Sequence, residues 1–556
     1  MIRLSRALDT TFCWAAVGAA LVWAALPPSD LWPLGWLAPV PWVLLIRRKE
    51  LPGCRPYLAL WLVGFLFWMA AMHWLRLPHW ATSFGWVALS LYQAFYLPVF
   101  VGLCRAAVHR LRISAIVAAP VVWTGLELAR AHLLTGITMA NLGHTQYRWI
   151  ELIQISDLAG AYGVSFVVTF SAACLARMLP CEPRRWTPWP VLPLAGVLGA
   201  VLLYGHLRTS VPQAEPIARI ALIQESIDIE FKSDPEKFDE IHRRYRALSE
   251  EAVQEYSKPR KPDLIVWPET MFRHPLVDFE PNARPPEWWE HSAEDFERAL
   301  PFWAAESRMR LAEIPHELGT AMLLGVDTIR YTRAGPRHSN SAVLVDPARR
   351  KGSELAGRYD KVHLVLFGEY VPFAEHWPWL QRLTPLPFSS AAGTRPAALD
   401  VTSPLGTLRV SPSICYENVL PQVIRRQIGA LAEAGREPDV LVNLTNDGWF
   451  WGSSELDMHL VCAVFRAVEF RKPFLVAANT GFSAWIDGEG RIRAQGPRRQ
   501  KGIILAEVAP DPRRSWYLQY GDWPAGCCLV GCGILALVGW FTRGRRFAGK
   551  SQSIGV

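Results

Sequence analysis

The apolar residues of this chain are segregated, and that segregation constrains its fold more than any other feature. The first 207 residues carry run after run of Leu, Val, Ala and Trp. Residues 208–520 read as a charged globular protein, and a last apolar run lies at about 525–541. The bulk figures of 51% hydrophobic and 19% charged are therefore an average over unlike parts. A charged fraction below the usual 25% or so argues against a disordered chain and against an ordinary cytosolic enzyme. A membrane-spanning helix needs about 20 mostly apolar residues. Candidates lie at 11–27, 31–46, 57–77, 84–104, 114–134, 159–178, 188–207 and 524–541. The expected organisation is a seven-span membrane domain (1–207), a water-soluble domain (208–520), and an eighth helix with a tail (521–556).

The basic residues orient these spans. The formal charge is +8, from 58 basic and 50 acidic residues. Arg47, Arg48, Lys49 and Arg55 follow the second span, and Arg105, Arg110 and Arg112 follow the fourth. Arg177, Arg184 and Arg185 follow the sixth, and Arg543, Arg545, Arg546 and Lys550 follow the eighth. The alternate loops are poorer, with Arg76 in one and Arg148 in another. Basic loops stay cytoplasmic, so the N-terminus, with Arg3 and Arg6, is expected inside. Eight spans then put 208–520 outside, on the periplasmic face of a bacterial inner membrane. The charge is thus a topology signal, and nucleic-acid binding is not expected. The 26 Trp suit a chain that meets membrane interfaces repeatedly.

The middle region alternates short β-branched runs with helical patterns. Strands are expected at 217–224, 263–267, 320–329, 339–346, 408–414, 440–444 and 474–478, and helices at 233–256, 419–434 and 455–471. Interleaved strands and helices indicate an α/β domain, and apolar runs of five or six residues imply sheets covered on both faces. Polar residues stand where strands end: Glu269 after DLIVWP, Cys415 after RVSPSI, Asn446 and Asp447 after LVNLT. Ligand sites gather beyond strand ends in such sheets. Lys361 lies in a loop-like stretch.

A cysteine attacks carbonyl carbon as its thiolate, so it needs a base. No His lies close in sequence to Cys415. A carboxylate serves if burial raises its pKa, and a lysine ammonium stabilises the oxyanion that forms. Glu269, Lys361 and Cys415 together suit acyl transfer. Taken singly they have plainer readings: a turn residue, a surface lysine and a small buried hydrophobe. Cys462 reads as core packing. With only two of ten cysteines in the soluble region, no disulfide scaffold is expected. No Cys/His cluster has zinc spacing, so neither metal nor cofactor is expected.

WPET around Glu269, YDKVHLVLFGEYVPF around Lys361 and SICYE around Cys415 resemble motifs of the carbon–nitrogen hydrolase (nitrilase) superfamily. NDGWF at 446–450 and RAVEFRKPFLVAANTGFSAWID at 466–487 resemble its membrane branch, the apolipoprotein N-acyltransferase family. So do ELARAHLLTG at 127–136, IELIQISDLAGAYGVSF downstream of it, and the layout of spans. The resemblance implies an αββα sandwich for 208–520. It implies Glu269 as general base, Cys415 as nucleophile and Lys361 as oxyanion stabiliser. Glu369 would orient the lysine, while Tyr416, Glu417 and Trp449 would handle substrate or loop movement. The implied partners are a phospholipid acyl donor, membrane lipids and a diacylated apolipoprotein acceptor. The implied reaction passes through a Cys415 thioester.

Two other classes share some of these features. A membrane-anchored nitrilase-type amidase would use the same trio with water as acceptor. A non-catalytic membrane scaffold would have no need of the trio. The aromatic stretch 363–389, with Phe367, Phe373, Trp377 and Trp379, is expected either to dip into the membrane interface or to pack on the domain. Glu127 and Arg130, three apart inside a span, are expected to pair. The acidic, Trp-rich stretch 271–318 reads as a lid or a partner surface. Trp451 and the SSELDMH that follows depart from the family pattern in the substrate-facing loop.

Overall fold

The computed structural model describes residues 9–181, 186–374, 376–384 and 389–551. Arg3, Arg6, Arg184 and Arg185, used above for orientation, lie outside these residues, as do 385–388 of the aromatic stretch. The chain forms two compact units, one of 1–73, 84–211 and 515–556, the other of 74–83 and 212–514.

The first unit is helical. Each of the eight apolar stretches contains helix, but the expected count of eight spans is not reached by length and composition. Among the described residues, three helices are long and apolar enough to cross a membrane: Thr82–Arg110, Ala161–Met178 and Val191–Thr209. Thr11–Ala25, Leu34–Arg47 and Pro56–Ala71 are apolar but shorter, and Trp523–Gly539 is the apolar part of the helix Trp523–Ser551. Proline explains part of the shortfall. Pro27 and Pro28 follow the first, Pro39 and Pro41 interrupt the second, and Pro56 starts the third, and a proline disrupts the hydrogen-bond ladder of a continuing helix. Ala115–His132 carries Glu127, Arg130 and His132.

Arginines at the loops close helix ends. Arg105 donates to the carbonyls of Leu45 (3.1 Å), Arg48 (2.6 Å) and Lys49 (2.8 Å), and Arg47 to those of Ala176 and Leu179. These satisfy carbonyls that a helix C-terminus leaves without partners. Glu127 and Arg130 act on each other's charge as expected, although no ion pair closer than 4 Å joins them. Glu127 Oε1 accepts from Trp123 Nε1 (2.9 Å) and from the Leu142 amide (2.8 Å). Arg130 donates to Asn141 Oδ1, and its guanidinium carbon lies 4.8 Å from the Trp68 ring centroid. Neutral dipoles and an aromatic face thus add to the opposite charge.

The second unit contains two sheets. The first holds β1 (Ala218–Gln224), β2 (Leu264–Val266), β3 (Phe272–Phe279), β4 (Ala321–Thr332), β5 (Gly335–Val345), β6 (Leu355–Asp360) and, at its far edge, β13 (Gly502–Val508). The second holds β7 (Leu399–Ser403), β8 (Gly406–Ile414), β9 (Val440–Thr445), β10 (Phe474–Ala478), β11 (Ala484–Ile486) and β12 (Ile492–Gln495). Strands β1, β2 and β4 are parallel neighbours, as are β8, β9 and β10.

Leu222, Leu264, Val266 and Leu344 of the first sheet share one core with Val410, Val442, Leu444 and Leu475 of the second. The other face of the first sheet is covered by the helices Phe238–Glu255 and Ala293–Leu318, through Ile241, Tyr245, Leu248, Leu311 and Ile314. On the second sheet, Gln427 of the helix Pro421–Glu433 donates to Ser411 and Pro412 of β8. The helix Glu455–Phe470 packs on β10 and β11. The stretch 271–318 is therefore not one irregular insertion. It supplies β3 and a 26-residue covering helix, with Trp289, Phe296 and Trp303 packed on Tyr331.

Candidate active site

The break between β2 and β3 positions Glu269. Both strands pair in parallel with β4, β2 against 321–323 and β3 against 326–331. Between them the chain leaves the sheet at Pro268, Glu269 and Thr270. Thr270 takes φ 52°, unusual for a β-branched residue and the kind of strain that clusters at active sites. The opposing position on β4 is Gly325. A Cβ there would sit 2.1 Å from the Pro268 carbonyl oxygen and 2.8 Å from the Glu269 Cα, so only glycine lets this turn approach.

Lys361 was expected in a loop. It directly follows β6, and its amide continues the ladder to the Asn340 carbonyl of β5 (2.8 Å). Cys415 directly follows β8, and it too is left-handed, at φ 52°. Glu269, Lys361 and Cys415 thus all stand at strand ends, two on one sheet and one on the other.

The buried Lys361 ammonium donates to Glu369 Oε1 at 2.8 Å and lies 3.8 Å from Glu269 Oε1. Glu369 Oε2 accepts from the Val365 amide at 2.9 Å. Glu269 is held from both sides, by Asn340 Nδ2 on Oε1 (2.6 Å) and the Asn446 amide on Oε2 (2.9 Å). Burial pushes the Glu269 carboxyl above its usual pKa, with the Lys361 charge opposing and the Glu369 charge adding. Burial disfavours the Lys361 cation, but the charges of Glu369, Cys415 and Glu269 override it, and its pKa is raised. Burial pushes the Cys415 thiol well up; the Glu269 charge adds to this and the Lys361 charge opposes it. A carboxylate base, a fixed cation and a thiol that all influence one another suffice for covalent acyl transfer.

Glu417 is fully buried and braces the site. Its carboxylate accepts from Tyr359 Oη, from the Val362 and His363 amides (2.8 and 2.9 Å) and from the Ile414 amide (2.7 Å). It therefore ties the chain after Lys361 to the strand end before Cys415. Tyr416 is half-buried with its ring stacked on His363 at 6.3 Å. Trp449 is half-buried in the turn Asp447–Phe450.

Several neighbours were not singled out from sequence. Lys232 is buried and donates to Thr270 Oγ1, beside Glu269. Burial and the Arg273 charge push its pKa down to about 8, against the pull of Glu269. Asn340 shows in sequence only as a polar residue in an otherwise apolar strand. His459 reaches the carbonyl oxygen of Cys415. Among the described residues, Asp447, Glu455 and His459 form the one group of metal-type donors, all buried and within 4.8 Å of one another. Both ring nitrogens of His459 already have protein oxygens within 3.3 Å.

Comparison with known proteins matches both parts of the chain. Residues 18–174 match the family described as apolipoprotein N-acyltransferase N-terminal domain, and residues 219–517 match the carbon-nitrogen hydrolase family. A protein of Geobacter metallireducens named apolipoprotein N-acyltransferase is 32% identical, over 94% of each chain. Its namesake in Rhodopirellula baltica is 31% identical, over 94% of this chain and 96% of that one. The one in Chlorobaculum tepidum is 28% identical, over 96% and 97%.

Proposed function

The chain belongs to the apolipoprotein N-acyltransferase family, and from that premise we propose how its residues carry an acyl chain from lipid to protein. The donor is a phospholipid and the acceptor is the α-amino group of an N-terminal diacylglyceryl-cysteine. Glu269 takes the thiol proton of Cys415, and the thiolate attacks the donor's ester carbonyl. The oxyanion forms beside the Lys361 ammonium, which Glu369 holds in place. Collapse breaks the ester bond, and Glu269 returns the proton to the departing lysophospholipid. The neutral amine then attacks the thioester, Glu269 accepts its proton, and Cys415 leaves as the thiol once reprotonated. The product is an amide.

The observation that carries this reading is the Lys361 ammonium held between two carboxylates next to Cys415. The burial of Glu269 and Lys361 beside the half-buried Cys415 limits water and favours transfer to an amine over hydrolysis. The raised pKa of Glu269 brings the base nearer to neutrality, where proton transfer is efficient.

In this reading all eight apolar helical stretches span the bacterial inner membrane, and residues 1–207, 208–520 and 521–556 are its three parts. The middle part faces the periplasm, next to its lipid donor. The basic loops that cap helix ends support that orientation. Phe373, Trp377 and Trp379 are each more than half exposed, and Phe367 is exposed too, which suits an arm meeting the lipid interface. Lipid association unchanged in Trp377→Ala with Trp379→Ala would remove the arm from this account.

The purified full chain is incubated with acyl-labelled phosphatidylethanolamine. The expected result is a hydroxylamine-sensitive label that is absent in Cys415→Ser and moves to the amine of an added diacylated lipopeptide. An unlabelled wild type, or label that persists in Cys415→Ser, rejects the thioester; release as free fatty acid in place of transfer rejects the acceptor.

A further inference from the structure

Behind the nucleophile lies a second buried cluster that the reaction above does not use. Helix Glu455–Phe470 presents Glu455 and His459 one turn apart, both at least 95% buried. His459 Nδ1 lies 3.3 Å from Asp447 Oδ1, and its Nε2 lies 3.2 Å from the carbonyl oxygen of Cys415. A backbone carbonyl can only accept, and Asp447 Oδ1 also accepts from Thr445 Oγ1, so the geometry places both ring nitrogens as donors. An imidazole that donates from both nitrogens is an imidazolium.

The cluster is built to hold that cation. Asp447 Oδ1 also accepts from Thr445 Oγ1 at 2.7 Å. A side chain at Gly481 would collide with Asp447 Oδ2, its Cβ only 2.0 Å away, so the Asp447 carboxylate lies against bare backbone. Glu455 Oε2 is buried and has no hydrogen-bond partner, which leaves a second carboxyl beside the ring. The raised pKa of His459, about 9, agrees with the geometry: burial lowers it, and Asp447 and Glu455 more than restore it.

The Cys415 carbonyl receives two donors, His459 Nε2 and Asn443 Nδ2, the latter also at 3.2 Å. This is the residue in the left-handed conformation, which is unfavourable for a non-glycine residue and persists only where its surroundings hold it. The same loop also reaches the base, because the amide of Asn446, next to Asp447, donates to Glu269.

We propose that His459 is a positioning residue: as an imidazolium it grips the Cys415 carbonyl, keeps the nucleophile in its left-handed turn and fixes a positive charge one peptide behind the thiol. The inference rests on Cys415 being the nucleophile. The ionisable groups that face the ring are Asp447 and Glu455, and beyond the Cys415 peptide stand Glu269 and Lys361.

Two readouts test it on the full chain in lipid nanodiscs. The first is the pH dependence of Cys415 alkylation by iodoacetamide, followed by mass spectrometry of the Cys415 peptide; it needs no acyl donor. The second is kcat and KM for thioester formation from phosphatidylethanolamine. In His459→Ala the alkylation midpoint should rise by about one pH unit, making the thiol about tenfold less reactive at a fixed pH below it. The kcat should fall at least as far, with KM within about twofold. His459→Gln keeps a donor for the carbonyl and loses the charge, so it should show the same midpoint shift with a smaller loss of kcat. Asp447→Asn removes the ring's counter-charge together with a carboxylate that itself raises the thiol, so its midpoint should move less than that of His459→Gln. If His459→Ala does not fold, His459→Gln decides by the same readouts. Folded variants whose midpoint and kcat both stay within twofold of wild type would overturn the proposal. A wild type that alkylates but never acylates would reject the acyl-transfer reading instead, and the alkylation shift would still decide the role of His459.

Discussion

The two units of this protein bury charge in opposite ways. In the helical unit, Glu127 and Arg130 share a helix face yet take neutral partners: an indole, a backbone amide, an Asn side chain and an aromatic ring. In the α/β unit, Lys361 sits between Glu269 and Glu369, and His459 between Asp447 and Glu455. Charges held mainly through dipoles, with the opposite charge farther off, couple weakly. Charges assembled in direct contact shift each other's proton affinities strongly, and a catalyst needs that. The difference separates a scaffold from a reaction centre more sharply than sequence position does.

The contrast predicts its largest effect at Lys361. Lys361→Met strands the buried Glu269 and the half-buried Glu369 without their shared cation, and breaking a buried pair in this way costs about 3–5 kcal/mol. Thioester formation should fall by at least about a thousandfold, since the oxyanion loses its stabiliser. Thermal unfolding and acyl labelling measure the two effects. A Lys361→Met variant that labels at a tenth of the wild-type rate would show that the charged cluster is structural and not catalytic.

Gly325→Ala probes the same centre without touching a charge. The added Cβ meets the Pro268 carbonyl oxygen, so the turn that carries Glu269 must move. A displacement of about 1 Å at a general base costs about a hundredfold in rate. The expected variant folds, binds lipid and acylates slowly; near-normal kcat would mean that the turn has slack.

How far these arrangements could be read from sequence depends on the range of the interactions. Strands β1, β9 and β10 were legible because they are unbroken buried apolar runs, and Glu269 and Cys415 because polar residues at the ends of such runs stand out. Strand β6 was missed, so Lys361 read as loop: LAGRYD has few apolar residues and only Tyr359 is buried. The helix Ala293–Leu318 was hidden by Pro301, Pro315 and its acidic start. Only part of the span count is matched by helix length, because a hydropathy run does not register where prolines cut the helix. Asn340 and His459 lie 71 and 44 residues from the groups they hold, and no local pattern marks such contacts.

Proton linkage sharpens the comparison next. The pKa of His459 is raised from about 6.5 when unfolded to about 9 when folded. Between those values the folded state keeps a proton that the unfolded chain has lost, so stability falls as pH rises. The contribution is fully present below about pH 6.5 and is lost as pH passes through about 9. The melting-temperature gap between wild type and His459→Gln should therefore narrow from pH 6 to pH 10. A gap that stays constant would mean that the ring does not titrate in this window.

The smallest expected effect is the one that tests the comparison most directly. A double-mutant cycle of Glu127→Gln and Arg130→Met asks how strongly the two intramembrane charges feel each other, and a matching cycle of Glu369→Gln and Lys361→Met asks the same of the reaction centre. A pair in contact couples by about 0.5–3 kcal/mol, whereas groups with separate partners add to within about 0.3–0.5 kcal/mol. Lys361 and Glu369, hydrogen-bonded at 2.8 Å, should couple near the top of that range. Glu127 and Arg130, which lack a direct hydrogen bond, should couple near the bottom of it, and Glu127→Gln keeps an oxygen for Trp123 and for the Leu142 amide. Unfolding midpoints in lipid nanodiscs supply both cycles. Coupling above about 1 kcal/mol in the helical unit would place its charges in the same class as those around Lys361, and the division between quiet and reactive buried charge would fail.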